Sequence, residues 1–238
     1  MVGIGPGAPE DRTRRAENAI KQSQTIVGYR PYIESISDLV CGRETIASGM
    51  RQEVERCRCA LDRAADGQVV SLISSGDPGI YGMAGLAIEL ADADNISVPI
   101  EIIPGVTAAG SAAAALGAPL MLDFAVISLS DLLVPWDRIR QRIEAIAAAD
   151  LTLALYNPRS KRRVRQLEET VEIMKCYRPG ITPVGVVTSA SRHEQSIVIT
   201  DLDRLLQQEV NMHSLVIIGG TNVKILNGWL VTARGYRL

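Results

Sequence analysis

The sequence predicts an α/β protein built as two α/β lobes with mainly parallel sheets. Three observations carry this. Short apolar runs alternate with amphipathic stretches along the whole chain, the β-then-α order that lays parallel strands under covering helices. The runs "QVVSLIS" and "LTLALY" are continuously apolar rather than alternating, as strands covered on both faces are. Glycine and proline gather just after the runs, where strand tips of such sheets turn and bind ligands.

Taken in order, "MVGIG" reads as a strand ending in a glycine loop, "RTRRAENAIKQS" as a helix, and "TIVG" and "ETIAS" as strands. "MRQEVERCRCALDRAADG" is a helix stopped by Gly67. "QVVSLIS" then reads as strand, "IYGMAGLAIELADA" as helix, "PIEIIPG" as strand and "VTAAGSAAAALG" as a small-residue helix closed by Gly117. Gly117 and Pro119 interrupt the pattern, which places the domains at 1–119 and 120–238. Beyond the break come "FAVISLS" strand, "WDRIRQRIEAIAAA" helix, "LTLALY" strand, "KRRVRQLEETVEIMKCY" helix and "TPVGVVTS" strand. "QSIVIT" alternates cleanly and follows closely, so it is expected to pair antiparallel as a hairpin. "LDRLLQQ" is a short helix, "SLVIIGG" a strand and "WLVTARGY" a last edge strand.

Composition narrows the function classes. The 238 residues are 47% hydrophobic and 22% charged, as a globular chain is, and only 4% aromatic, so the core is aliphatic. The net charge of −2 argues against broad binding to nucleic acid. The run "AAGSAAAALGAPLML" is broken by glycine and proline, and no membrane span is expected. No secretory signal precedes the first glycine motif, and the chain starts almost inside a strand, so a slightly longer natural N-terminus is expected. Cys57 and Cys59 form C-x-C on a helix, where their side chains face apart, and the chain has only two histidines. Free thiols in the cytoplasm and no metal site are expected.

Five glycine- or proline-rich loops follow strands: Gly3 to Ala8, Ser74 to Gly82, Pro104 to Ala108, Tyr156 to Pro158 and Gly219 to Asn222. If all lie at the carboxyl ends of the strands, they converge on one crevice. "GIGPGA" formally fits a dinucleotide fingerprint, but Pro6 lacks an N–H and no acidic residue follows the second strand. In "SSGDPGIYG", Asp77 followed by Pro78 reads as a helix cap, and equally as an anion facing a cationic ligand beside Gly76. Thr107 reads as a cap or a ligand contact. "LYNPRSKRRVR" carries five cations, either a solvated helix face or a rim for a substrate with several carboxylates. Ser128, Ser130 and Asp131 are candidate substrate contacts. No triad, nucleophile elbow or metal cluster is present, so an enzyme of this kind works by positioning a reactive cofactor against a reactive substrate.

The segments "VGIGPG", "IVGYRPYIE", "SSGDPGIYGMA", "IIPGVTAAGSAAAALGAPL", "DFAVISLSDLLVPWDRIRQRI", "LYNPRSKRR" and "LVTARGY" together resemble the tetrapyrrole methylases of the cobalamin pathway. The resemblance runs from Val2 to Tyr236 and is strongest to the branch that methylates carbon 17 of precorrin-3B. It implies a ligand crevice between the two lobes holding S-adenosyl-L-methionine, with S-adenosyl-L-homocysteine as product. It also implies a homodimer, a polycarboxylated tetrapyrrole substrate, and contraction of the macrocycle to precorrin-4; cobalt-dependent relatives are the alternative. Carried over by position, the cofactor contacts are Pro6, Gly76, Asp77, Ile80, Tyr81, Thr107, Ala108, Tyr156, Asn157, Gly219 and Gly220. The substrate contacts are Ser128, Ser130, Asp131, Arg159, Lys161 and Arg162. Asp123, Asp131 and Tyr156 are the candidates for proton handling. "VVTSASRHEQ" and "IIGGTNV", with Arg14 and Ala233, depart from the family pattern. A non-catalytic binder of the same ligands, or a nicotinamide oxidoreductase, are the readings of other classes.

Overall fold

The computed structural model describes residues 1–236. The chain divides into two compact units, Met1–Ala108 and a second beginning at Ala109, so the small-residue helix goes almost wholly with the second unit.

The first unit is a four-stranded sheet of β1 (Val2–Gly3), β2 (Thr25–Tyr29), β3 (Glu44–Ser48) and β4 (Val70–Ser74), in the order β1-β4-β2-β3. Every pairing in it is parallel. Its helices are α1 (Arg14–Gln22), α2 (Arg30–Glu34), α3 (Glu53–Ala65) and α4 (Ala84–Ala93). Thr13 starts α1 by accepting the Ala16 N–H at 3.1 Å, and Gly67 ends α3 with a left-handed φ of 84°. Adjacent β2 residues show why the apolar runs are continuous. Ile26 packs with Ile20, Ile36 and Ile73, whereas Val27 packs with Cys57, Leu61 and Leu72, in a separate cluster.

Two elements of this unit differ from expectation. "PIEIIPG" contributes only an isolated bridge, Val2 to Ile103, because Pro99 and Pro104 withhold the donors a longer ladder needs. The helix expected from Ile80 begins at Ala84, since Tyr81 takes a left-handed φ of 53° that no helical turn accepts.

The second unit holds α5 (Ala108–Leu116), β5 (Gly117–Ala118), β6 (Phe124–Ser128), α6 (Trp136–Ala148), β7 (Thr152–Tyr156) and α7 (Arg165–Tyr177). It continues with β8 (Pro183–Thr188), β9 (Ser196–Asp201), β10 (Ser214–Ile218), β11 (Val223–Leu226) and β12 (Trp229–Thr232). Its main sheet runs β6-β7-β10-β8-β9. Only β6 and β7 pair parallel; the other three pairings are antiparallel, which corrects the expectation of mainly parallel sheets for this unit. β7-α7-β8 is a β-α-β unit as read, but β10 inserts between its two strands in the opposite direction. Apolar continuity reports that both faces are covered; it is blind to a neighbour's direction. The β8–β9 hairpin is as expected, with Thr188 opposite Ser196. "WLVTARGY" is not an edge: β12 is the middle strand of a small sheet, between β11 and β5.

Candidate functional site

In the first unit every strand ends at the same edge, and three loops meet there. Gly5 and Gly76 exchange backbone hydrogen bonds at 3.2 and 2.8 Å, and the Gly3 N–H donates to Ile103 O at 3.0 Å. The backbones come so close that a Cβ on Gly3 would stand 2.6 Å from Gly76 O and 2.8 Å from Gly105 N. Gly76 also has φ 61°, so glycine is required there on conformational grounds.

Asp77 joins two of these loops. Its Oδ1 accepts the Gly79 N–H at 2.8 Å and its Oδ2 accepts the Gly105 N–H at 3.1 Å. It therefore does not cap α4, which starts well downstream; the cap reading is replaced by a clasp between the β4 loop and the loop before α5. Pro6 is buried beside this clasp, Thr107 and Ala108 are half-buried, and Ile80 and Tyr81 are 41% and 56% exposed. A bulky residue held left-handed and exposed, as Tyr81 is, marks a surface shaped for something other than packing. The first loop leads into a short 3-10 turn at Pro9–Asp11, not a helix, so the helix N-terminus of a dinucleotide fingerprint is missing.

In the second unit β6, β7 and β8 end at one edge. There Ser128 Oγ accepts the Ser130 N–H at 3.2 Å and the Asn157 amide N–H at 3.0 Å. Asn157 is left-handed, φ 49°, and its carbonyl accepts Arg163 Nη2 at 2.9 Å. The Tyr156 hydroxyl accepts the Ala109 N–H at 2.9 Å. Asp131 is exposed and accepts Gln166 Nε2 at 2.8 Å. Burial pushes the Arg163 guanidinium below its usual pKa, with the Asp131 charge opposing. Arg159, Lys161 and Arg162 lie on the same β7–α7 loop; Arg159 faces Glu168 at 4.0 Å, and Lys161 and Arg162 are exposed.

Three sequence-derived candidates lie elsewhere. Asp123 precedes β6, so it stands at the opposite edge from Ser128. Gly219 and Gly220 follow β10, whose direction is antiparallel to β7, and they too emerge at that opposite edge. Gly220 N donates to Thr152 Oγ1, Arg178 Nη1 donates to Gly219 O at 2.6 Å, and Asp150 accepts the Thr221 N–H at 3.0 Å. That is a structural lock around a buried arginine, so the five loops do not share one edge. In their place at the β6–β7–β8 edge is the loop after β8. Ser189 and Ser191 there have φ of 53° and 56°, and Ser191 Oγ shares a 2.7 Å hydrogen bond with Ser111. The sequence offered Arg163 only as one of the five cations of its loop and "VVTSASRHEQ" only as a departure from the family pattern, so neither was named as a site residue; the signal for the loop was the polar "TSAS" after a buried strand.

A cavity of about 360 Å³ opens at the other edge of the first sheet, lined by Met1, Gln22, Gln68, Val69, Pro99 and Ile100 among others. It holds none of the site residues. No cluster of metal-ligating side chains occurs among the described residues.

A family model described as Tetrapyrrole (Corrin/Porphyrin) Methylases matches residues 1–206. The chain is 44% identical to a "Cobalt-factor III methyltransferase" of Priestia megaterium, over 100% of this chain and 45% of that protein; here it spans less than half of its relative's length. It is 42% identical to a "Probable cobalt-factor III C(17)-methyltransferase" of Salmonella typhimurium, covering 100% of this chain and 99% of the relative. It is 38% identical to a "Precorrin-3B C(17)-methyltransferase" of a Sinorhizobium species, covering 95% and 90%. Among solved structures it is similar to the methyltransferase CobJ, with TM-score 0.93, 33% identity and 98% of each chain covered. A uroporphyrin-III C-methyltransferase from Thermus thermophilus, complexed with S-adenosylhomocysteine, matches with TM-score 0.69 and 25% identity over 92% of this chain and 90% of that one.

Proposed function

We propose, from the premise that this chain belongs to the tetrapyrrole (corrin/porphyrin) methylase family, that it transfers a methyl group from S-adenosyl-L-methionine to carbon 17 of a cobalamin-pathway tetrapyrrole. The structural observation that carries the cofactor half is the Asp77 clasp. It sets a carboxylate and two close-approaching glycine backbones at the carboxyl edge of a parallel sheet. These residues fit the cofactor: an acceptor for a cationic group, backbone that lets a ligand lie close, and the exposed apolar surfaces of Ile80 and Tyr81.

S-adenosylmethionine supplies, when bound, an electrophilic methyl on a positively charged sulfur. The chain's work is to hold and to orient. Asp77, Thr107 and Ala108 hold the donor at the edge of the first unit's sheet, and Tyr156 and Asn157 are the second unit's own candidate contacts. Arg159, Lys161 and Arg162 attract the substrate's carboxylates, while Leu132 and Leu133, 70% and 96% exposed beside Ser130 and Asp131, offer an apolar wall to the macrocycle. A reduced tetrapyrrole carbon is already nucleophilic, so positioning suffices for methylation. For the proton movement of ring contraction, Asp131 and Tyr156 stay candidates, whereas Asp123 is at the wrong edge.

The higher identity to relatives named for cobalt-factor III, 42% against 38%, favours the cobalt-containing substrate over precorrin-3B. The same reading includes a cytoplasmic homodimer. Four cysteines without a disulfide support a reducing compartment, and the apolar surface of Ile225, Leu226 and Trp229, each about half exposed, supports self-association. No helix of the described residues is long and apolar enough to cross a membrane.

The deciding experiment is mass spectrometry of products after incubation with S-adenosylmethionine and either cobalt-factor III or precorrin-3B. The expected outcome is one added methyl on the cobalt-containing macrocycle. Binding of S-adenosylhomocysteine without turnover of either would leave a non-catalytic binder, and calorimetric binding of NAD instead would point to an oxidoreductase.

A further inference from the structure

Beside the Asp77 clasp, at the same carboxyl edge of the first sheet, lies a cavity of about 190 Å³ that none of the residues assigned above explains except Tyr81. Its lining includes Tyr29 at the end of β2, Ser74 at the end of β4, Met50 just past β3, Tyr32, Tyr81 and Arg56. Arg56 is the unusual member. It is 4% exposed, and no ion pair among the described residues includes it.

The guanidinium is held in place by neutral groups. Nε donates to Ser48 Oγ at 2.6 Å, Nη2 to Gly49 O at 2.7 Å and Nη1 to Met83 Sδ at 3.3 Å. The Tyr29 ring lies 5.7 Å from the guanidinium carbon, and Tyr32 meets Tyr29 edge-on at 5.1 Å, so the fork is stacked as well as tethered. Each terminal nitrogen keeps an N–H beyond those bonds. A buried cation without an anion is costly, and an anionic ligand in this cavity would supply the missing charge. Glu53 also lines the cavity but is exposed and is not among the ion pairs.

We infer that this cavity is an anion site in which Arg56 takes a carboxylate of one of the two reactants. The inference rests on the proposed methyl transfer, since both reactants of that reaction are carboxylates. The sources are an acid arm of the macrocycle and the amino-acid end of the methyl donor. A two-pronged guanidinium with one free N–H on each prong is matched to the two oxygens of a carboxylate. Tyr81, left-handed and more than half exposed, stands where the cavity meets the Asp77 loop and links the two sites.

The test uses Arg56→Gln and, because that change also removes bonds to Ser48 and Gly49, a second variant at the exposed rim, Met50→Glu. Met50 is 58% exposed, so Met50→Glu places a competing anion at the mouth without disturbing the interior. Calorimetry with S-adenosylhomocysteine and with 5′-methylthioadenosine, which lacks the carboxylate, is read beside the KM for the macrocycle. Arg56→Gln is expected to weaken one carboxylate-bearing reactant by about ten- to a hundredfold, the loss of a charge-assisted pair. Met50→Glu is expected to weaken the same reactant by about two- to fivefold, less so at high salt. If the macrocycle fills the site, its KM rises and S-adenosylhomocysteine binding holds. If the donor fills it, S-adenosylhomocysteine weakens and methylthioadenosine does not. Unchanged affinities for both reactants in Met50→Glu and in a folded Arg56→Gln overturn the inference while leaving the methyltransferase reading intact. Failure of the wild-type protein to bind S-adenosylhomocysteine overturns that reading instead, and the inference with it.

Discussion

The first unit's sheet is wholly parallel, and the second unit's is not, and the fate of the glycine loops follows from that difference. In the first, β1, β4, β2 and β3 all run one way, so each loop after a strand arrives at one edge, and Gly5, Gly76, Asp77 and Gly105 are in contact. In the second, the insertion of β10 antiparallel between β7 and β8 sends Gly219 and Gly220 to the far edge, against Asp150 and Arg178. Equal-looking glycine motifs thus do unequal things. Those of the first unit meet at one edge as a candidate site, and the last one in the second unit packs against Asp150 and Arg178.

The sharpest way to break this contrast is at Gly105. Gly105→Ala puts a Cβ against Gly76 O and the Gly3 backbone, where no flexible side chain can yield. It is expected to abolish measurable S-adenosylhomocysteine binding and to lower stability by about 3 kcal/mol, read by urea unfolding. Normal binding by this variant would mean that the close approach of the three loops is incidental.

Asp77→Ala and Asp150→Ala form a matched pair, one from each edge. Asp77→Ala is expected to weaken S-adenosylhomocysteine by about thirtyfold, roughly 2 kcal/mol, with a small change in melting temperature. Asp150→Ala, which strips the Thr221 N–H and Arg178 of their partner, is expected to cost about 1–3 kcal/mol of stability and leave that affinity unaltered. The reverse pattern would reassign the cofactor loop to Gly219 and Gly220.

A pH experiment separates the units by a buried thiol. Burial in the first unit's core raises Cys57 from 9.0 to about 11. The folded state therefore keeps its proton where the unfolded chain has lost it. The neutral thiol's contribution is complete below pH 9 and disappears as pH rises towards 11, a loss on the order of 2 kcal/mol. Chemical denaturation from pH 8 upward is expected to show this decline in the wild type and not in Cys57→Ala. A decline of equal size in the variant would place its origin outside α3.

The smallest effects are expected on the basic loop. Arg159→Ala, Lys161→Ala and Arg162→Ala should each raise the macrocycle KM by about two- to fivefold at low salt and less at high salt, as part-exposed charges do. Salt-independent values would leave a solvated helix approach as their whole role.

Much of this was legible because it is local. Thr13 before α1, Gly67 after α3 and the hairpin between β8 and β9 follow from residue types at fixed offsets. Asp77 was singled out from its neighbours alone, although the same neighbours suggested a helix cap that Tyr81 forbids. Arg56 was invisible in the sequence. Within "MRQEVERCRCALDRAADG" it reads as one more cation on an amphipathic helix, and nothing in the spacing says that it is buried under Met83 and Tyr29.

By itself, the sequence determined most of the strands and helices, the family and the glycine loops that the first unit brings together, because periodicity and turn chemistry act over a few residues. Tertiary structure alone decided the direction of β10, the separation of Gly219 and Asp123 from Ser128 and Tyr156, and the burial of Arg56. Those depend on which strand lies beside which, and a strand's own residues record only that its faces are covered.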